Sequence, residues 1–239
     1  MKVYIYDDIE TASQAALNYY KEALADGPKV LGLATGSTPE KLYQEIVASD
    51  LDFTDSLSFN LDEYVGLEAS HPQSYNYFMH KHLFNEKPFK HNYLLNGANP
   101  NEEEECSQFE NLLQEHPIDL QLLGIGRNGH IGFNEPGSSF TSKTRKIELT
   151  ESTIEANSRL FDSPSDVPTT AYSMGIGSIL NSKNILLLAF GEEKAAAVKA
   201  MVEGPVTEEV PASALQKHPN VVVILDQAAA SQLSGEADA

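Results

Sequence analysis

Cysteine is nearly absent from this chain: Cys106 is the only one among 239 residues. No intrachain disulfide can form, and no thiolate metal cluster can be assembled. Long apolar runs are missing as well, since no stretch approaches the ~18–20 residues needed to span a bilayer. Basic residues are scarce, 16 Lys and Arg against 35 Asp and Glu, giving a net charge of −19 with His neutral. Such a surface repels nucleic acid and anionic membranes, both of which are gripped through clustered Lys and Arg. Neither is expected as a partner. An anionic ligand would need a local site that defeats the global field. The opening Met1-Lys2-Val3-Tyr4 runs into a strand-like pattern without signal-peptide character. A soluble protein of a reducing cytoplasm is expected.

Metal-ligand and nucleotide signatures are also lacking. His80 and His82 stand two apart and diverge on a helix, and neither H-E-x-x-H nor Cys/His ligand spacing occurs. The Walker pattern G-x-x-x-x-G-K-[ST] is absent. The run from Gly124 to Gly129 satisfies G-x-G-x-x-G formally, yet His130 and Pro136 spoil the helix opening that a dinucleotide site requires. No metal and no cofactor is expected.

What is present is an alternation of strand-like and helix-like segments from end to end. Lys2–Tyr6, Val30–Ala34, Leu57–Leu61, Leu120–Ile125, Ile185–Phe190 and Val221–Leu225 read as strands. Helical spacing recurs over Ala12–Ala25, through Leu42, Ile46 and Val47, and over Ser74–Phe84 and Glu102–Leu113. Continuously apolar runs such as ILLLAF and VVVIL belong to strands covered on both faces. The pattern predicts one α/β domain over residues 1–233, an open, mostly parallel sheet flanked by helices. The small acidic tail, 234–239, is expected to fray.

In such sheets the chemistry lies beyond the carboxyl ends of the strands. After Val30–Ala34 comes Thr35-Gly36-Ser37-Thr38-Pro39. Its hydroxyls, its flexible Gly36 and the free N–H groups of a helix start suit an anion, although the same residues also suit a plain helix cap. After Leu57–Leu61 come Asp62 and Glu63, which point opposite ways, so at most one faces a given pocket. A solvated turn is the plainer reading.

The densest segment runs from Gly124 to Gly137, with four glycines between Gly124 and Gly132 and with Asn128, His130 and Glu135 among them. Imidazole is suited to proton transfer near neutrality, and an amide and a carboxylate can orient it. Arg159 and Lys194 are two cations in an acidic chain, and Lys194 stands at another strand-to-helix junction. Each is a candidate anion clamp or a solvated surface charge.

LATGSTP, FNLDEYVGL, GIGRNGHIGFNEPGSS, NSR and FGEEKA occur in that order between Leu33 and Ala195. Together they resemble the glucosamine-6-phosphate deaminase family, also called glucosamine-6-phosphate isomerase, from the first strand to about Leu225. The resemblance implies a Rossmann-like fold and a role in amino-sugar metabolism. It implies Asp62 as the base that moves a proton from C2 to C1, and His130 as the group that opens the sugar ring. Glu135 and Asn128 match the positions that support the histidine. Thr35, Gly36, Ser37, Thr38, Arg159 and Lys194 match phosphate-binding positions.

Many members carry Asp where this chain has Asn128, which implies a lower His130 pKa here. Ile147 stands where allosteric members carry Lys, although Arg145 matches, so activation by N-acetylglucosamine 6-phosphate is not expected. By analogy a monomer acting on a small sugar phosphate is expected. The reaction itself demands only proton transfers and water. The nearest rival is a 6-phosphogluconolactonase, whose hydrolysis would not need Asp62 as a carbon base. A non-catalytic sugar-phosphate sensor is the other.

Overall fold

Seven strands, all parallel, build the central sheet: β1 (Lys2–Tyr6), β2 (Val30–Leu33), β3 (Leu57–Asn60), β5 (His91–Tyr93), β6 (Leu120–Leu123), β9 (Asn184–Ala189) and β10 (Val221–Asp226). Their order across the sheet is β1-β10-β9-β6-β2-β3-β5. A second, antiparallel sheet takes β4 (Asp62–Tyr64), β8 (Thr170–Ser173) and β7 (Arg145–Glu148), in that order. This computed structural model describes residues 1–235.

The helices are α1 (Ile9–Leu24), α2 (Glu40–Ala48), α3 (Tyr75–Met79), α4 (Glu102–Glu115), α5 (Glu151–Ser158), α6 (Ile176–Leu180) and α7 (Ala195–Glu203). Helix α1 starts at a capping box in which Asp8 accepts the Thr11 N–H at 2.8 Å and Thr11 reciprocates. Its buried stripe, Ala12, Ala16, Leu17 and Tyr20, has the helical period. Asn101 caps α4, whose first turn carries Glu102–Glu105 at the positive end of the helix dipole. The central strands are buried on both faces: Leu120–Leu123 and Ile185–Ala189 are closed to solvent along their lengths. Gln121 lies across Gly32, where a Cβ would stand 2.0 Å from the amide oxygen. A larger residue at position 32 would have to displace that buried amide.

The expected parallel α/β sheet is present, with one unexpected edge strand, β5. The segment expected to be one helix, Ser74–Phe84, is α3 followed by a π-helical turn over His80–Phe84. The small sheet was not anticipated. Of the tail expected to fray, residues 236–239 lie outside the described residues, while the Ser234 N–H donates to Glu203 at 2.6 Å.

Strand order reverses between β2 and β6. From β2 the chain proceeds toward β3 and β5, and from β6 toward β9, β10 and the β1 edge. The loops that leave these two strands part from each other, and that opens a crevice above their carboxyl ends. No helix among the described residues is long and apolar enough to cross a membrane.

Candidate active site

A cleft of about 630 Å³ fills the crevice. Thr35–Thr38 and Gly124–Asn128 line it, with Thr38 beside Gly124, and Asp62, His130, Glu135 and Lys194 complete the lining. Thr150, Thr153 and Ala156 reach over it from α5 and its cap, and Tyr75 and Phe133 close one side with rings stacked at 6.1 Å.

The hydroxyls of the first loop are not spent on capping. Helix α2 has Pro39 as its N-cap, without a side-chain hydrogen bond. Among the described residues, the side chains of Thr35, Ser37 and Thr38 make no hydrogen bond. Gly36 has φ +91°, a left-handed conformation that other residues resist. Lys194 approaches the far side and donates to the Ile125 carbonyl at 2.8 Å. Burial lowers its pKa, Glu193 pulls it back up, and Arg127 lowers it again. Its loop is pinned by Asp226, which accepts the Gly191 N–H with both oxygens at 3.1 Å.

Strand alternation resolves the two carboxylates, and neither is a solvated turn. Asp62 faces the cleft and is 8% exposed. Glu63 points away and accepts the N–H groups of Tyr64, Tyr75 and Asn76, each at 2.9 Å, which seats the start of α3 beside β4. Asp62 has no comparable donors among the described residues. Burial first, and the nearby Glu63 second, push its pKa up to about 8. Burial raises Glu63 too, against the pull of its three donors.

His130 is oriented by a relay. Asn128 Nδ2 donates to Glu135 Oε2 at 2.7 Å, and Asn128 Oδ1 lies 2.7 Å from His130 Nδ1. An ionised carboxylate only accepts, so the amide nitrogen must face Glu135 and the amide oxygen must face the ring. Nδ1 therefore carries the proton, and Nε2 is left with its lone pair. Burial lowers the His130 pKa, Glu135 at 3.6 Å raises it, and Lys194 lowers it. The ring lies against Gly126, where a Cβ would stand 2.0 Å from Cε1. The loop itself is fastened by the buried Asn134, which donates to Ile131 and Met174 and accepts from Arg145 at 2.8 Å.

Residues 7–224 match the model for glucosamine-6-phosphate isomerases and 6-phosphogluconolactonases. The chain belongs to that family. It is 61% identical over 233 residues to the glucosamine-6-phosphate deaminase of Ligilactobacillus salivarius, spanning 98% of this chain and all of that one. The deaminase of Lacticaseibacillus paracasei is 60% identical, over 98% and 99%. A solved monomeric glucosamine-6-phosphate deaminase superposes with a TM-score of 0.91 at 43% identity, covering 97% and 99% of the two chains. The 6-phosphogluconolactonase of Leishmania guyanensis shares the fold, with a TM-score of 0.78 at 20% identity over 98% and 99%.

Of the family positions expected to bind phosphate, Arg159 is not brought to the others. It ends α5, exposed, outside the cleft lining. Several lining residues were not anticipated from sequence: Tyr75, Phe133, Arg127 and the Thr150–Ala156 roof. Arg127 carried a usable signal, as a cation inside a glycine-rich loop. Among the described residues no group of three or more His, Cys, Asp or Glu is gathered as a metal site would require.

Proposed function

We propose that the chain is a glucosamine-6-phosphate deaminase, converting glucosamine 6-phosphate and water into fructose 6-phosphate and ammonia. The observation that carries this reading is the pairing of two unlike proton carriers across one cleft. Asp62 is a buried carboxylate without donors, and His130 has its Nε2 lone pair free. The same cleft holds unspent hydroxyls and Lys194. Close relatives bearing the deaminase name support it, whereas the lactonase likeness carries the fold alone.

In this reading the phosphate sits on Thr35, Gly36, Ser37 and Thr38 with Lys194, and Arg159 is added by an inward shift of the α5 end. Binding the remote phosphate positions the sugar carbons between the two proton carriers. His130 Nε2 accepts the proton of the C1 hydroxyl and returns it to the ring oxygen, opening the ring. Asn128 and Glu135 hold the imidazole in that tautomer throughout. Asp62, as carboxylate, removes the C2 proton while the C1 oxygen takes a proton from the substrate's ammonium group, and an enolamine forms. The protonated Asp62 then delivers that proton to C1, leaving an imine at C2. Water adds to the imine carbon, the C–N bond breaks, and ammonia leaves.

Burial makes Asp62 a stronger base than an ordinary carboxylate, which suits removal of a carbon-bound proton. Under the same reading the enzyme is a monomeric hydrolase of the cytoplasm, acting in N-acetylglucosamine catabolism. A coupled assay tests it. Glucosamine 6-phosphate should yield equimolar ammonia and fructose 6-phosphate. Hydrolysis of 6-phosphogluconolactone with no ammonia from the amino sugar would reverse the assignment, and binding without turnover would leave a sensor.

A further inference from the structure

Arg127 takes no part in the proton transfers above, yet it lines the same cleft as Thr35–Thr38 and Lys194. Among the described lining residues only Arg127 and Lys194 carry a fixed positive charge, against the carboxylates of Asp62 and Glu135. The Arg127 guanidinium is paired with Glu193, and both side chains are largely exposed, at 73% and 52%. Glu193 immediately precedes Lys194 in the chain. Glu193 pairs with Arg127, and both act electrostatically on Lys194, so the three charges form one cluster beside the cleft.

We propose that Arg127 is an anion-binding residue of this cleft, held by Glu193 until the phosphate of the substrate displaces that carboxylate. The proposal rests on the sugar-phosphate reading above and extends its phosphate subsite. An exposed Arg–Glu pair is screened by water and contributes little, so exchanging its carboxylate costs little. A phosphate monoester carries more negative charge than one carboxylate, near −2 against −1 at neutral pH. Guanidinium engages it through two parallel N–H groups, whereas the Lys194 ammonium acts as a point charge already bonded to Ile125. Lys194 attracts the anion, and Arg127 fixes its orientation.

Lys194 also senses both neighbours, since Glu193 raises and Arg127 lowers its pKa. Glu193 is a competitor in this scheme, which keeps the cleft from retaining product phosphate. That assigns opposite signs to the two members of one ion pair. A pair that merely fastens two loops would give the same sign for both.

The test is calorimetric titration of the purified full chain with inorganic phosphate, which needs no turnover. Arg127→Ala should weaken phosphate binding about tenfold, as loss of a charge-assisted partner does, and should raise KM for glucosamine 6-phosphate in parallel. Glu193→Gln should tighten phosphate binding by about threefold, an exposed carboxylate's influence being small. The double variant should resemble Arg127→Ala, and Arg127→Lys should lie between it and the parent.

Phosphate affinity unchanged in Arg127→Ala overturns the proposal, as does weakened affinity in Glu193→Gln. Failure of the deaminase reading is seen separately, as absence of ammonia release by the parent enzyme. Phosphate titration of the same four variants would then still decide the role of Arg127.

Discussion

The amide oxygen of Asn128 lies 2.7 Å from Nδ1 of His130. With Glu135 occupying the amide nitrogen, that oxygen has one possible placement, and the imidazole has one tautomer. Asn128→Asp would keep an acceptor facing Nδ1, remove the donor to Glu135 and, as a carboxylate, add negative charge beside the ring. The His130 pKa should rise by about one unit or more. Since ring opening uses neutral imidazole, kcat/KM should fall more steeply with acid below the Asp62 limb near pH 8. An NMR titration of the ring beside the pH–rate profile checks this, and an unmoved imidazole would remove the electrostatic argument.

Asp62 ties activity to instability. Its folded pKa of about 8 lies above the ordinary 3.8. Below both values the carboxyl is protonated in either state and folding is unopposed. As pH rises through this window the folded chain keeps a proton that the unfolded chain has lost, so stability falls until about pH 8. Asp62→Asn should therefore melt above the parent at pH 9 by on the order of a few kcal/mol, with the gap closing toward pH 4. In the parent, kcat/KM should climb toward about pH 8 as the base form fills. Thermal melts at three pH values suffice. An Asn variant that is equally stable throughout would mean the carboxyl is better solvated than its burial implies.

The two proton carriers can be separated in deuterated water. Asp62→Asn should lose ammonia release by ~10²–10⁴-fold and show neither C2 exchange in the substrate nor C1 label in product. His130→Gln should slow turnover by a comparable factor. The product it does form, from spontaneously opened sugar, should still carry deuterium at C1. Fast C2 exchange without Asp62 would move the carbon base elsewhere.

Gly126 makes a purely steric prediction. A methyl group there would collide with the imidazole at 2.0 Å, and the ring, being flexible about its own bonds, would swing off Asn128. Gly126→Ala should keep a native circular dichroism spectrum and melt close to the parent, while kcat falls about 10²-fold. Full activity would show that the ring tolerates a second position.

Six of the seven parallel strands were readable, the central ones because their apolar runs are continuous, as burial on both faces requires, whereas the edge strand β5, His91–Tyr93, has no such run. The small sheet was not readable. Strand β7, Arg145–Glu148, alternates half-buried Arg145 and Ile147 with exposed Lys146 and Glu148, a single apolar residue in all, and β4 follows β3 with only Leu61 between them. Short strands of this kind take their definition from their partners. Asp62, His130, Asn128 and Glu135 were visible as residue types placed after strands. That Glu63 turns away to seat α3 was not visible, because its partners are backbone N–H groups, which any sequence supplies. Arg127 was passed over although its place in the glycine-rich loop was a signal, because an exposed cation is more often a solvated charge.

Across the seam between β2 and β6 run two register pairs, Leu31 with Leu120 and Gly32 with Gln121, and two hydrogen bonds between Val30 and Asp119. The cleft walls come one from each side of it, Thr35–Thr38 from the β2 half and the glycine-rich loop from the β6 half. Either half could gain helices and strands alone and still own no catalytic pocket. Recovery of activity during refolding should thus report the docking of the halves, and should trail the return of helical signal by the time that docking takes.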